Sequence, residues 1–162
     1  AKPNAAHAAL AKLEAQGKLT AVVTQNIDGL HQLAGSKNVY ELHGSIHRNH
    51  CMRCNRFFDA EYVKNHSGIP YCPCGGMIKP DVVLYEESLD PDVLAGAVAH
   101  ISRADMLIVG GTSLQVYPAA GLINYYSGNK LVLINKTITP YDSYANLVIN
   151  DSIGKVLSAA VE

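Results

Sequence analysis

Apolar residues follow two patterns along the chain, amphipathic helical stripes and short continuous runs. A helical stripe between Asn4 and Gly17 predicts a first helix, with Asn4 as its cap and Gly17 as its stop. A second stripe follows Asp90-Pro91, the favoured order for a capping residue and a first-turn proline. Further helices are predicted at 118–126 and 152–161. Short apolar runs predict strands at 21–24, 39–43, 82–85, 106–109, 131–134 and 147–149.

Strands and helices alternate in this prediction. Such alternation favours an α/β fold in which a doubly wound, Rossmann-like and mostly parallel sheet carries helices on both faces. Ligands of these sheets bind outside the carboxyl ends of the strands. The residues just after the predicted strands are small or hydrogen-bonding, which suits a polar ligand such as a nucleotide; they are 24–29, 43–44, 110–113 and 135–137.

The residues that follow each predicted strand are compatible with more than one role. His43 is a candidate general base, because imidazole titrates near neutral pH, or else an ordinary strand-end histidine bonded to backbone. Gln25, Asn26 and Asp28 can bind a carboxamide or a ribose, or can serve as turn and helix-capping residues. The 110–113 segment offers N–H groups and hydroxyls to a phosphate or ribose. Neither G-x-G-x-x-G nor G-x-x-x-x-G-K-[ST] occurs in the sequence.

The four cysteines form two close pairs, Cys51-x2-Cys54 and Cys72-x-Cys74, seventeen residues apart. This spacing predicts a closed tetrahedral zinc site with a structural role, in which Gly75-Gly76 provides the turn of the shorter pair. A catalytic zinc is disfavoured, since four thiolates leave no position for water. Four free cysteines, or replacement of a thiolate by neighbouring His47 or His50, are the alternatives.

The near-zero net charge of the chain disfavours polyanionic partners. Thirteen Lys and Arg against fourteen Asp and Glu give a net charge of −1, which provides no general attraction for nucleic acid or anionic lipid. No direct nucleic-acid or membrane role is therefore expected. The clustered cysteines favour a metal site in a reducing compartment, and we expect a cytoplasmic protein.

Several segments, taken together, resemble the sirtuins, NAD-dependent protein deacylases. The resemblance extends from residue 1 to about residue 151. The matching segments, besides the four cysteines, are Thr24-Gln25-Asn26-Ile27-Asp28-Gly29-Leu30-His31, Glu41-Leu42-His43-Gly44, Lys79-Pro80-Asp81-Val82-Val83 and Gly111-Thr112-Ser113-Leu114. We accordingly expect a Rossmann-like NAD-binding domain at 1–46 and 78–162, and a zinc-binding subdomain with one structural Zn²⁺ at 47–77.

The resemblance also implies a role for each matching residue. His43 would be the catalytic base that deprotonates a ribose hydroxyl of NAD, Asn26 and Asp28 would face the nicotinamide end, and Gln25 would contact the ribose. Gly111, Thr112 and Ser113 would lie along the cofactor, and Asn135 and Lys136 would contact its adenosine half. The reaction would transfer the acyl group of an acyl-lysine protein or peptide to ADP-ribose, which makes the enzyme a transferase and leaves free lysine and nicotinamide.

An extended acyl-lysine peptide would add as a strand between the segments 83–86 and 114–117, bound mainly by its backbone. The expected contacts are Val83, Tyr85, Glu86, Leu114 and Val116. Sirtuins commonly carry Phe-Gly-Glu where this chain has Tyr85-Glu86-Glu87. The extra carboxylate of Glu86 is expected to favour basic peptides.

A second departure concerns the N-terminus. The glycine-rich strand-turn-helix with which sirtuins start has no counterpart in these 162 residues, so the NAD-binding domain is expected to be incomplete and the chain alone not to be a competent deacylase. ADP-ribosyl transfer on the same framework and a zinc-stabilised, non-catalytic peptide- or nucleotide-binding module are the alternatives. The sequence leaves open the protein substrate, the acyl preference and the oligomeric state.

Overall fold

The computed structural model describes residues 1–161, which form two compact units. The first unit comprises Ala1–Val23, Leu30–Tyr40 and the chain from Pro91 onward, and the second comprises Thr24–Gly29 and Glu41–Asp90. The boundaries expected for the zinc-binding subdomain, 47–77, stay a prediction. None of the helices within residues 1–161 has the length and apolar character needed to cross a bilayer.

Five α-helices and eight strands make up the described chain. The helices are α1 (Ala5–Ala15), α2 (Leu30–Leu33), α3 (Ala60–Lys64), α4 (Pro91–Arg103) and α5 (Ile153–Ala160). The strands are β1 (Val22–Thr24), β2 (Val39–Glu41), β3 (Gly44–Cys51), β4 (Phe57–Asp59), β5 (Ile78–Val82), β6 (Leu107–Gly110), β7 (Leu131–Ile134) and β8 (Leu147–Ile149). Two 3₁₀-helices cover Ala119–Tyr125 and Asp142–Tyr144, and the first replaces the helix predicted at 118–126.

The first helix begins and ends where the sequence predicts. The Asn4 side chain accepts the backbone N–H of Ala6 and His7, and His7 Nδ1 accepts the Asn4 N–H in return. This reciprocal cap satisfies donors that the first helical turn leaves unpaired. Gly17 follows the helix with φ +70°, a conformation that only glycine adopts without strain.

The first unit contains a parallel three-stranded sheet in the order β6-β7-β8. Its central strand buries side chains on both faces, which explains its uninterrupted apolar sequence. On one face, Leu131 and Leu133 pack against Leu114 and against Ala120 and Ile123 of the first 3₁₀-helix. The other packs Ile134 on α1 and α5, through Ala6, Ala9 and Leu157. Helices on both faces of a parallel sheet confirm the predicted α/β class. A separate two-stranded sheet pairs β1 with β2.

The second unit contains an antiparallel sheet in the order β4-β3-β5, and two strand predictions fail near it. The strand predicted at 39–43 ends at Glu41, because the chain turns at 42–43 and Gly44 adopts φ +77°. The strand predicted at 82–85 is wrong except for Val82, where β5 ends. Residues 84 and 85 instead enter an exposed turn in which Glu86 has φ +70°.

Candidate functional site

A loop of the second unit, residues 24–29, is held by the segment that begins at Leu42. Four of its backbone carbonyl oxygens lie at hydrogen-bond distance from donors of that segment. The pairs are Leu42 N to Thr24 O at 2.9 Å, His43 Nδ1 to Gln25 O at 3.0 Å, Ile46 N to Ile27 O at 3.1 Å, and His47 Nε2 to Asp28 O at 2.9 Å. The predicted residues Gln25, Asn26, Asp28 and His43 therefore belong to one hydrogen-bonded assembly.

The contact at Gln25 sets the tautomer of His43. A carbonyl oxygen can only accept a hydrogen bond, so Nδ1 of His43 carries the hydrogen. In the neutral ring Nε2 then has a free lone pair. The ring is half-buried, and the side chain of Asn26 is exposed in the neighbouring loop. This arrangement gives the second unit an oriented imidazole that can accept a proton.

Gly44 allows the backbone after His43 to approach β5. A Cβ atom at Gly44 would lie 1.7 Å from the carbonyl oxygen of Asp81, and its φ is +77°. On the other side, the N–H of Val83 donates to the His43 carbonyl at 3.0 Å. The candidate base is thus bonded by its backbone to the start of the predicted peptide-binding segment.

A network of charged and polar side chains supports the same region. Glu41 is nearly buried, and its carboxylate accepts a hydrogen bond from Arg48 at 2.8 Å. The Asp81 carboxylate lies at hydrogen-bond distance, 2.8 Å, from His50 Nδ1, and it lies 3.8 Å from the Arg48 guanidinium. This network ties the strand that precedes His43 to β3 and β5. Arg48 and the partner role of Asp81 are not apparent from the sequence, since their pairing depends on strand register.

The predicted peptide-binding segment of this unit presents its side chains to solvent. Leu84 is exposed and Tyr85 is fully exposed. Glu86, at the position where the Phe-Gly-Glu pattern has glycine, has φ +70°. The glycine of that pattern therefore suits a left-handed turn, which Glu86 occupies here with some strain.

The four cysteines gather at one point of the second unit. Their sulfur atoms all lie within 4.8 Å of one another, with Cys51 3.5 Å from Cys74 and Cys54 3.6 Å from Cys72. The N–H groups of Arg53 and Cys54 point at the Cys51 sulfur from 3.4 and 3.5 Å. His47 and His50 bond elsewhere, so the donor set is four sulfurs, which fits one closed, structural Zn²⁺.

Two glycines let the chain turn closely around the cysteine cluster, and the neighbouring groups shift the pKa values of two of its thiols. Gly75 has φ +82°, and a Cβ at Gly76 would lie 2.6 Å from the Cys51 sulfur. Burial raises the pKa of Cys51, but the backbone N–H groups of Cys54 and Arg53 outweigh it and lower the pKa to about 6. The pKa of Cys72 rises to about 12, since burial and the adjacent thiols outweigh the backbone N–H of Cys74. Thiolates this close need a cation to coexist.

The first unit carries the remaining predicted cofactor residues at the ends of β6 and β7. Gly111 has φ +66°, with open space where a Cβ would be. The N–H of Thr112 donates to Asn135 Oδ1 at 3.0 Å. Asn135 is buried, and its Nδ2 has no hydrogen-bond partner among residues 1–161. Ser113 and Lys136 are exposed nearby in sequence. An unpaired buried donor at a strand exit suits a polar ligand.

The second predicted peptide segment, 114–117, also lies in the first unit. Leu114 is buried in the core with φ +54°, so its side chain faces inward and only its backbone can meet a ligand. Val116 and Tyr117 are exposed. The Tyr117 hydroxyl lies 3.1 Å from that of Tyr141, which raises the pKa of Tyr117.

Comparison with known proteins places these features in a family. The family model described as "Sir2 family" matches residues 1–118. The NAD-dependent protein deacetylase of Clostridium acetobutylicum is 69% identical over 163 residues. The match covers 99% of this chain and 66% of the relative, so the chain spans about two thirds of the length of that protein.

Solved structures give the same result. A structure described as "Sir2-p53 peptide-NAD+" superposes with a TM-score of 0.92 at 44% identity, over 99% of this chain and 69% of that one. A second structure has a TM-score of 0.92 at 45% identity, over 98% of this chain and 70% of that one. It is described as Sir2 in complex with the inhibitor EX-527, 2'-O-acetyl-ADP-ribose and deacetylated p53 peptide. The predicted doubly wound fold is thereby confirmed.

Proposed function

The chain belongs to the Sir2 family, and from this membership we propose that it acts in the NAD-dependent removal of acyl groups from lysine side chains of proteins. Relatives named NAD-dependent protein deacetylase support the proposal, as do structures described as holding NAD, or 2'-O-acetyl-ADP-ribose with deacetylated p53 peptide. The reaction class is acyl transfer to ADP-ribose. The expected partner is an acyl-lysine protein or peptide.

One observation in the chain carries the proposal, the hydrogen bond between His43 Nδ1 and the Gln25 carbonyl. It leaves Nε2 of His43 as the proton acceptor. We assign His43 as the base for a ribose hydroxyl, and Asn26 and Asp28, on the loop bonded to His43, as residues for the nicotinamide end. Gln25 is assigned to the ribose.

NAD supplies, when bound, an electrophilic anomeric carbon with nicotinamide as its leaving group. The chain's own groups fit its adenosine half. The Nδ2 of Asn135, which has no partner among residues 1–161, and the exposed ammonium of Lys136 are donors for ribose oxygens or phosphate. Gly111 leaves room for close backbone approach. Thr112 and Ser113 add hydroxyls. We assign these five residues to the cofactor.

An extended peptide would be bound through main-chain groups, which give affinity with little dependence on sequence. The residues proposed for this role are Val83, Tyr85, Glu86, Leu114 and Val116. Zinc does no chemistry in the scheme, since a four-sulfur site is closed to water. Clustered reduced thiols favour a cytoplasmic location.

A full-length chimera tests the proposal. The matched region of the Clostridium acetobutylicum deacetylase is replaced by this chain, and nicotinamide release is measured with NAD and an acetyl-lysine peptide. We expect release only when the acetylated peptide is present. Release without peptide would favour ADP-ribosyl transfer or hydrolysis, and no release would favour a non-catalytic binding module.

A further inference from the structure

One carboxylate closes the turn at 84–87 of the second unit. Glu87 Oε2 accepts the backbone N–H of Leu84 at 2.9 Å. The N–H of Glu87 donates back to the Leu84 carbonyl at 3.1 Å. The first and last residues of the turn are therefore bonded twice, once through backbone and once through the Glu87 side chain.

Lys79 attaches this turn to β5. Its ammonium donates to the same Glu87 oxygen at 3.1 Å and to the Val82 carbonyl, the last residue of β5, at 3.1 Å. The hydrogen bond from the Leu84 N–H, and to a lesser extent that from the Lys79 ammonium, lowers the pKa of Glu87. Glu87 is thus anionic at neutral pH and bridges the strand to the turn.

The turn needs such support because of Glu86. A non-glycine residue with positive φ is disfavoured, and here it stands in an exposed turn. Neither Leu84 nor Tyr85 can hold the turn by packing, since both are exposed. The bonds from Glu87 and Lys79 hold the backbone on either side of Glu86 and so help to offset the strain.

We propose that Glu87 is a positioning residue for the acyl-lysine peptide, which with Lys79 fixes the backbone of residues 83–86 so that an extended peptide can pair with it. This inference rests on the proposed function, because it presumes that residues 83–86 receive the peptide. Ordering the segment in advance lowers the cost of peptide binding. Glu87 itself touches no reacting atom.

The test compares variants of the full-length chimera. Glu87→Ala removes the side-chain bonds to the Leu84 N–H and to Lys79. We expect the peptide KM to rise about tenfold, which is the size expected when a hydrogen bond to an ionised group is lost. We expect kcat and the NAD KM to stay within about twofold of the parent values. Glu87→Gln keeps an oxygen acceptor for the Leu84 N–H but removes the charge that pairs with Lys79, so a smaller rise in the peptide KM is expected. Glu61→Gln on α3, exposed in the same unit, is the matched charge control.

Hydrogen exchange at the Leu84 amide supplies a readout independent of turnover, and one zinc per chain reports that the unit is folded. Faster exchange in Glu87→Ala together with the split in KM supports the inference. Two results would overturn the inference and leave the proposed function standing. One is an unchanged peptide KM for Glu87→Ala in an active chimera, and the other is an equal loss of kcat and of the affinities for both substrates. If the unmutated chimera releases no nicotinamide, the proposed function fails, and the inference with it.

Discussion

The imidazole Nδ1 of His43 lies 3.0 Å from the backbone carbonyl oxygen of Gln25. This contact joins the candidate base to the loop that carries the residues assigned to nicotinamide. Orientation of the ring and shape of the loop therefore depend on one another, and a change that loosens the loop is expected to alter cofactor binding before it affects stability.

His47 offers a test of this dependence. Its Nε2 lies 2.9 Å from the Asp28 carbonyl, and its ring fills the space where Gly29 would carry a Cβ. We expect His47→Ala in the chimera to raise the NAD KM about three- to tenfold, the worth of one hydrogen bond. His66, whose Nδ1 lies 2.8 Å from the Tyr62 carbonyl, is the control, and an equal effect of His66→Ala would refute the assignment.

Gly44 is expected to tolerate no side chain. Ala at this position would place a Cβ 1.7 Å from the Asp81 carbonyl oxygen, so the backbone after His43 must shift. Gly68 has a similar φ, +78°, with no atom within 4 Å of its added Cβ, and Gly68→Ala should cost only about 1–2 kcal/mol. Chemical denaturation should show Gly44→Ala less stable than Gly68→Ala by at least about 2 kcal/mol. Equal unfolding free energies would contradict the close approach.

The cysteine cluster predicts one tightly bound zinc per chain, measurable by metal analysis of reduced protein. Because thiolate binding energy is folding energy in such sites, a strong chelator should lower the melting temperature and change the circular dichroism. Gly76→Ala should weaken zinc binding at least about tenfold, since the new Cβ would lie 2.6 Å from the Cys51 sulfur. Zinc content well below one, or a chelator without effect, would argue against the site.

An ion pair at the start of α5 gives a pH dependence. Bonds from Lys155 and from the Ser152 N–H lower the pKa of Asp151, and Asp151 raises the pKa of Lys155. Because the pKa of the Asp151 carboxyl is lowered in the folded state, this group stabilises the fold at pH values above the usual Asp pKa, and the stabilisation is lost on acidification. Because the pKa of the Lys155 ammonium is raised, its stabilisation persists until alkaline pH. Asp151→Asn should therefore lower the melting temperature slightly at pH 7, and by progressively less as the pH falls below the usual Asp pKa. Asp105→Asn is the control, and an Asp151→Asn difference that does not shrink on acidification would contradict the pairing.

Local signals explain which elements could be predicted. Asn4 and Gly17 mark α1 because capping acts within a few residues, and the four-residue apolar run at 131–134 marks β7 because that strand is buried on both faces. The cysteine site was predicted from spacing alone and is confirmed as a cluster.

Long-range pairing explains what could not be predicted. Strand β3 buries Ser45 and Asn49 and exposes Ile46, the reverse of the usual pattern, and forms because β4 and β5 pair with it. The turn at Glu86 depends on the Glu87 carboxylate and Lys79, whose meeting follows from the fold. Arg48 and Glu87 were missed as site residues for the same reason.

The most direct measurement is the rate of peptide deacetylation by the full-length chimera with and without His43→Ala, followed by mass spectrometry, with NAD affinity determined in parallel. Loss of a general base costs about 10²- to 10⁴-fold in rate, so the variant should bind NAD nearly as well as the parent and deacetylate at least about a hundredfold more slowly. Deacetylation by the variant at the rate of the parent would contradict the account.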